Sequence, residues 1–180
     1  MNWTSYSAPI ASARTFLFVP ANRPDRYAKA LATAADAVVL DLEDAVPEAD
    51  KQSAREAISR EWPTLSAHEK PVVVRINSPL SEAGSADLQW LARLQPCPAL
   101  MVAKAETSSA LQLVSAAQPQ ALLMPLIESA QGYINLAEIA AVPNVARLVV
   151  GHIDFLADTG IQGNGQLGTR GCGQAGCRQQ

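Results

Sequence analysis

Short, almost wholly apolar runs recur along the chain, separated by longer segments that alternate polar and apolar positions. The six runs are residues 15–20 (TFLFVP), 37–42 (AVVLDL), 72–77 (VVVRIN), 99–104 (ALMVAK), 122–127 (LLMPLI) and 146–151 (ARLVVG). Runs of this length and composition are typical of strands buried on both faces of a parallel sheet. Pro125 weakens the fifth prediction, because proline cannot donate a hydrogen bond to a sheet ladder.

Helices are predicted between these runs, where apolar residues recur at spacings of three and four or alanine is abundant. The predicted helices are residues 24–35, 48–62, 86–94, 107–117 and 132–141. Alternating strands and helices without hairpin signals predict an α/β fold with a parallel sheet and right-handed crossovers. Polar residues at many strand ends favour an incomplete TIM (β/α)8-type barrel of about six βα units over a doubly wound sheet.

The composition changes towards the C-terminus. Most of the ten glycines follow Val150, and residues 163–180 contain few core-forming side chains. We therefore predict a partial (β/α) barrel domain in residues 1–162 and a glycine-rich, disordered tail in residues 163–180. Because a complete barrel of this kind has about 250 residues, we expect two βα units to be missing from a truncated chain.

Composition and charge exclude several classes of protein. The 180 residues are 48% hydrophobic and 17% charged, with a net charge of −3, which indicates a soluble domain without the basic face that nucleic acid requires. No apolar run approaches the roughly 20 residues that span a bilayer, and the first residues lack the basic and apolar regions expected of a secretory signal. Three cysteines are too few for a disulfide framework, so a cytoplasmic location is expected.

Charged residues stand at the ends of several predicted strands. Glu43 and Asp44 follow the second strand, and Arg75 lies near the end of the third. Glu128 follows the fifth strand and Asp154 follows the sixth. Since parallel strands end at one rim, Glu128 and Asp154 are candidate ligands for Mg²⁺, which prefers one or two carboxylates with substrate oxygens and water. Arg75 could hold a substrate carboxylate or stabilise developing negative charge.

Each candidate also has a structural interpretation. The acidic cluster after the second strand could be a solvated loop, and Arg75 could be its ion-pair partner. Glu128 and Asp154 could each stabilise the start of a helix. Lys104 could form a Schiff base, but nothing in the sequence indicates the desolvated setting that this needs, so a partly buried structural lysine is the preferred interpretation.

Several segments also match a known pattern in order along the chain. They are RTFLFVPANRPDRYAKAL, VVLDLEDAVPEADKQSAR, VVVRIN, VAKAET, PLIESAQG and VARLVVGHIDFLADTG. Together they resemble the citrate lyase β-subunit-like branch of the HpcH/HpaI aldolase family. The resemblance implies a TIM barrel and a Mg²⁺-dependent carbon–carbon lyase. Such an enzyme would cleave a 3-hydroxyacyl-CoA thioester, of the citryl-CoA, malyl-CoA or citramalyl-CoA type, to a keto acid such as oxaloacetate and an acyl-CoA.

The resemblance also implies roles for individual residues. Glu128 and Asp154 match the family's metal ligands, and Arg75 matches its substrate-carboxylate arginine. The catalytic candidates are therefore Arg75 and the acidic pair, Glu43 and Asp44.

Further expectations concern the periphery of the site and the whole chain. Arg14 and Arg23 match positions near the entrance for substrate and CoA, so Arg14 is a second substrate-binding candidate. An acyl-CoA thioester and a keto acid would be the partners, without nucleic acid or membrane, and a full-length member would form a homo-oligomer. The alternatives are a catalytically inactive fragment and a class II pyruvate aldolase.

Overall fold

A computed structural model of the protein describes residues 9–162. Six parallel strands form one sheet, in the order in which they occur along the chain. They are β1 (Phe16–Pro20), β2 (Ala37–Asp41), β3 (Val72–Ile76), β4 (Ala99–Val102), β5 (Leu123–Ile127) and β6 (Val149–Val150). A doubly wound sheet would reverse its strand order at a switch point. The unbroken order confirms the α/β prediction of a TIM-type barrel with about six βα units.

Helices connect the strands, and each predicted helix overlaps an observed one. They are α1 (Tyr27–Leu31), α2 (Lys51–Ser66), α3 (Glu82–Leu91), α4 (Ser108–Ala117), α5 (Ala130–Ile134), α6 (Leu136–Ala140) and α7 (His152–Thr159), with short 3-10 helices at Pro24–Arg26 and Glu48–Asp50 before α1 and α2. Hydroxyl side chains fix three of the helix starts. Ser81, Thr107 and Ser129 each accept a hydrogen bond from a backbone N–H three residues later.

Both faces of the sheet are covered by apolar side chains. The larger cluster lies between the sheet and the helices, and includes Leu40 and Val74 from the strands with Ile58 from α2. The smaller cluster lies on the opposite, inner face, where Val39 and Val73 are fully buried. Since successive strand residues point to opposite faces, burial on both sides explains why the strands are continuous apolar runs.

Pro125 does not prevent β5 from forming, but it shortens the pairing with β6. The backbone groups of Leu123 and Ile127 bond towards the β6 side of β5. Alternate residues of a strand bond to the same neighbour, so the missing N–H of Pro125 also faces β6. The β5–β6 pairing is limited to Leu126 with Val149 and Ile127 with Val150, within the predicted run of residues 146–151.

The predicted tail, residues 163–180, lies outside the described residues, so this part of the domain prediction stays a prediction. Within residues 9–162, no helix has both the length and the apolar character needed to cross a membrane.

Candidate active site at the carboxyl ends of the strands

A buried arginine organises the edge of the sheet where β2 and β3 end. Arg75 is the register partner of Asp41, the last residue of β2. Its Nε and Nη2 donate to the two carboxylate oxygens of Asp41, each at 2.7 Å. Nη1 lies 3.2 Å from Glu43 Oε2, and Nη2 lies 3.4 Å from Asp44 Oδ2. Burial is the largest single influence and opposes the charge of Arg75, but the hydrogen bonds with Asp41 and the charges of Asp41, Glu43 and Asp44 together outweigh it and raise the pKa of Arg75. Arg75 is therefore an ion-pair partner of all three acids.

Lys104 links two parts of this edge. Its Nζ lies 2.9 Å from Glu43 Oε1, and its backbone N–H donates to Glu128 Oε2 at 2.8 Å. The side chain is 55% exposed, and its salt bridge with Glu43 fits the structural interpretation of Lys104 rather than the desolvated setting of a Schiff-base lysine. Burial raises the pKa of Glu43, and the hydrogen bond from Lys104 opposes that shift. The φ of Lys104 is 50°, a left-handed conformation that costs energy for a side chain with a Cβ.

Glu128 follows β5 and is only 5% exposed. Among residues 9–162, its carboxylate accepts one hydrogen bond, from the Lys104 backbone, and forms no salt bridge. Burial raises its pKa to about 7, with further increases from the charges of Glu43 and Asp154. A Cβ at Gly151 would lie 2.6 Å from Glu128 Cγ, so glycine at this position leaves the room that the carboxylate occupies.

Asp154 is close enough to Glu128 to raise the pKa of that residue. It lies in the first turn of α7 and is exposed, rather than directly at the end of β6. A buried carboxylate without a cationic contact, beside a second carboxylate, is a pair of hard oxygen donors. These residues fit Mg²⁺, although no group of three or more His, Cys, Asp or Glu side chains with metal-binding geometry occurs in the described part of the chain. One or two carboxylates suffice for Mg²⁺ when substrate and water supply the remaining oxygens.

A cavity of about 450 Å³ opens beside the acidic pair, between the segments that follow β2 and β3. Its lining comprises Glu43, Asp44, Glu48, Lys51, Asn77, Ser78, Ser81, Glu82, Ala83 and Lys104. Nine of these ten residues have polar or charged side chains, so the cavity suits a ligand with hydrogen-bonding groups.

Sequence reasoning missed Lys51, which is buried under the acidic pair. Its Nζ donates to Leu42 O at 2.7 Å, to Glu43 O at 3.0 Å and to Asn77 Oδ1 at 2.8 Å. These bonds hold the backbone that bears Glu43. A lysine in the first turn of a helix opposes the helix dipole, and that mismatch was the available signal in the sequence.

A second buried ion pair, between Arg55 and Asp87, holds Asn77 in place. Asp87 Oδ1 accepts from Arg55 Nε at 2.7 Å. Its other oxygen accepts from the backbone N–H and the side-chain amide of Asn77, at 2.8 and 2.7 Å. The network Lys51–Asn77–Asp87–Arg55 thus joins α2, α3 and the end of β3.

The two arginines matched to the site periphery lie at opposite edges of the sheet. Arg23 follows β1 at the carboxyl edge, where its Nε and Nη2 donate to Asp25 at 2.9 and 2.8 Å. Arg14 precedes β1, and its backbone N–H donates to Asp36 at the amino edge. The structure does not bring Arg14 together with the other predicted site residues.

Comparisons with known proteins agree with this architecture. The profile of the HpcH/HpaI aldolase/citrate lyase family matches residues 14–169. A citrate lyase subunit beta-like protein of Mycobacterium tuberculosis is 40% identical over 150 residues, 83% of this chain and 51% of that protein. A (3S)-malyl-CoA thioesterase of Cereibacter sphaeroides is 34% identical over 147 residues, 82% of this chain and 51% of that protein.

A solved structure shows the same likeness in three dimensions. The citrate lyase beta subunit of M. tuberculosis, complexed with oxaloacetate and magnesium, matches with a TM-score of 0.70 and 35% sequence identity. The match covers 86% of this chain and 65% of that chain. This chain spans about half the length of the curated relatives that it matches. On the extent of the profile match, the chain belongs to the HpcH/HpaI aldolase/citrate lyase family.

Proposed function

We propose that this chain carries the metal-binding part of a Mg²⁺-dependent carbon–carbon lyase. The reaction would cleave a 3-hydroxyacyl-CoA thioester, of the citryl-CoA, malyl-CoA or citramalyl-CoA type, to a keto acid and an acyl-CoA. The observation that carries the proposal is Glu128, a buried carboxylate with a raised pKa that shares an edge of the sheet with Asp154. Two relatives support the substrate class, since one is a malyl-CoA thioesterase and the other was solved with oxaloacetate and magnesium.

Glu128 and Asp154 would hold the metal ion. When bound there, Mg²⁺ would supply Lewis-acid chemistry to the oxygens of the substrate.

Arg75 would orient the carboxylate of the substrate. Asp41 already accepts hydrogen bonds from two N–H groups of Arg75, each at 2.7 Å. The contact of Arg75 with Asp44 is the longest of its ion-pair contacts, at 3.4 Å. The Asp44 side chain is 58% exposed, so it can move away and leave Nη2 to a substrate carboxylate. Asp41 would then keep the guanidinium fixed while the substrate binds.

The acidic pair would handle the protons of the reaction. Loss of the substrate's hydroxyl proton allows the carbon–carbon bond to break, and the resulting thioester enolate takes up a proton. Burial raises the pKa of Glu43, so this carboxyl binds a proton more readily than an exposed glutamate does. We assign proton transfer to the pair, Glu43 and Asp44, rather than to one member. Homo-oligomer formation and a cytoplasmic location stay predictions.

Thermal unfolding with and without Mg²⁺ and oxaloacetate tests the metal assignment. We expect both ligands to raise the unfolding temperature of the wild-type protein, because a ligand that binds only the folded state stabilises it. Asp154→Ala should abolish the Mg²⁺-dependent rise. Glu138→Ala, which removes an exposed carboxylate from α6, is the matched control and should respond like the wild type.

The outcome also separates the candidate functions. A rise of equal size in Asp154→Ala, or no rise in the wild type, would contradict the metal assignment. Stabilisation by Mg²⁺ without cleavage of malyl-CoA or citryl-CoA would identify a binding fragment rather than a lyase.

A further inference from the structure

Helix α7, which carries Asp154, makes few contacts with the other elements of residues 9–162. None of its residues is buried. The ring of Phe155 packs edge-on against Tyr133, with 6.1 Å between the ring centroids. Within residues 9–162, a single side-chain hydrogen bond joins α7 to another element: Asp158 Oδ2 accepts from the Ala130 backbone N–H at 2.8 Å.

This bond connects the two segments that bear the candidate metal ligands. Asp158 lies four residues after Asp154, so the two carboxylates are on the same face of α7. Ala130 is the first residue of α5 and lies two residues after Glu128. The first N–H groups of a helix have no partner within the helix, and here a carboxylate from α7 supplies one.

Other contacts already fix the Glu128 segment without α7. Ser129 Oγ accepts from the Gly132 N–H at 3.2 Å and donates to Glu106 Oε1 at 2.8 Å. A Cβ at Gly132 would lie 2.8 Å from the backbone oxygen of Ala105, so α5 packs closely against the segment after β4. The start of α5 is therefore held in place independently of α7. The hydrogen bond from Ala130 to Asp158 can then fix the position of α7 relative to α5.

We propose that Asp158 is a positioning residue, which docks α7 onto the first turn of α5 and thereby sets the separation between the Asp154 and Glu128 carboxylates. The contact of Asp158 with Ala130 is observed, whereas its consequence for the metal rests on the proposed function. We assign Asp158 no contact with the metal. It acts through the placement of Asp154.

The test compares three variants by calorimetric titration with MgCl₂ and, in metal-free buffer, by amide hydrogen exchange. Asp158→Ala removes the acceptor, and we expect about a five- to tenfold loss of Mg²⁺ affinity, as for one charge-assisted hydrogen bond. Exchange should become faster in α7 and at Ala130. Asp158→Asn removes the charge but keeps an acceptor oxygen, so its affinity should stay within about twofold of wild type, as the retained acceptor requires. Glu138→Ala controls for the loss of an exposed carboxylate.

Each other result overturns a stated part of the proposal. Unchanged affinity in Asp158→Ala would show that Asp158 does not position Asp154. Equal losses in Asp158→Ala and Asp158→Asn would show that the charge of Asp158 acts directly, rather than its hydrogen bond. If the wild type does not bind Mg²⁺, the proposed metal site fails. Hydrogen exchange then decides the docking alone, and unchanged exchange in Asp158→Ala would overturn that as well.

Discussion

The carboxylates at the candidate site differ in how their charge is compensated. Asp41 receives two hydrogen bonds from Arg75 and further ones from the backbone N–H groups of Glu43 and Ala45. Glu128 is almost equally buried but receives one backbone hydrogen bond in the described structure. A buried charge with so little compensation has an unfavourable free energy. Glu128 therefore gains more from a bound cation than Asp41 does.

This difference predicts a pH dependence of stability that Mg²⁺ removes. The pKa of Glu128 in the folded protein is raised from 4.5 to about 7. A raised pKa means that the folded state holds the proton on Glu128 more tightly than the unfolded state does. This proton therefore stabilises the folded state fully below about pH 4.5, and the stabilisation is lost as the pH rises through 7. Relative to Glu128→Gln, the free energy of unfolding of the wild type should fall by roughly 2–3 kcal/mol between pH 5 and pH 8.

Urea unfolding of both proteins across this pH range measures the difference. The two proteins differ only at residue 128, so the comparison isolates the contribution of the Glu128 carboxyl. Saturating Mg²⁺ at pH 8 should restore the lost stability in the wild type but not in Glu128→Gln. Parallel pH profiles for the two proteins would contradict the burial of an uncompensated charge at Glu128.

At the level of elements, the strands and the common edge of the site could be predicted from the sequence. Burial on both faces makes each strand a continuous apolar run, and parallel strands bring their carboxyl ends together. The same rule places Arg14 at the opposite edge, because it precedes β1. The contacts of Arg75 with Asp41 and of Lys51 with Asn77 could not be predicted, since they depend on strand register and helix packing.

The buried Lys51–Asn77–Asp87–Arg55 network should contribute to the free energy of unfolding, because it joins the elements around the acidic pair. Asp87→Ala would leave Arg55 buried without its carboxylate, and we expect a loss of about 3–5 kcal/mol in the free energy of unfolding. Asp25→Ala is the matched control, because it breaks an Arg–Asp pair of similar length whose side chains are 44% and 60% exposed. That variant should change stability far less than Asp87→Ala, because water screens an exposed ion pair. Chemical denaturation measures both, and equal losses would contradict the distinction.

At the level of the whole molecule, the N-terminal segment joins the two ends of the sheet across its inner face. Ile10 is fully buried in the inner cluster, beside Val39 and Val73. Arg147, just before β6, donates through Nη1 to the backbone oxygens of Ala13 at 2.6 Å and Ile10 at 3.3 Å. The segment that precedes β1 is thereby hydrogen-bonded to a residue that precedes β6.

Arg147→Ala should weaken this link. We expect a loss of about 1–2 kcal/mol in the free energy of unfolding, from two hydrogen bonds to a charged group and a stacking contact with Phe16. Amide exchange should become faster at residues 10–13. Arg93→Ala, which removes an exposed arginine after α3, is the control. Equal exchange in the two variants would show that Arg147 does not hold the segment.

The sequential order of the strands has a consequence for folding during synthesis. Each new strand pairs with the strand that precedes it in the chain, so its partner has already been synthesised when it emerges. Units could then add one after another as the chain leaves the ribosome, since N-terminal parts emerge first. The ion pair of Arg75 with Asp41 would form before Glu128 and Asp154 have been synthesised. The ion pair that fixes the Arg75 guanidinium would therefore be in place before the candidate metal ligands of the site leave the ribosome.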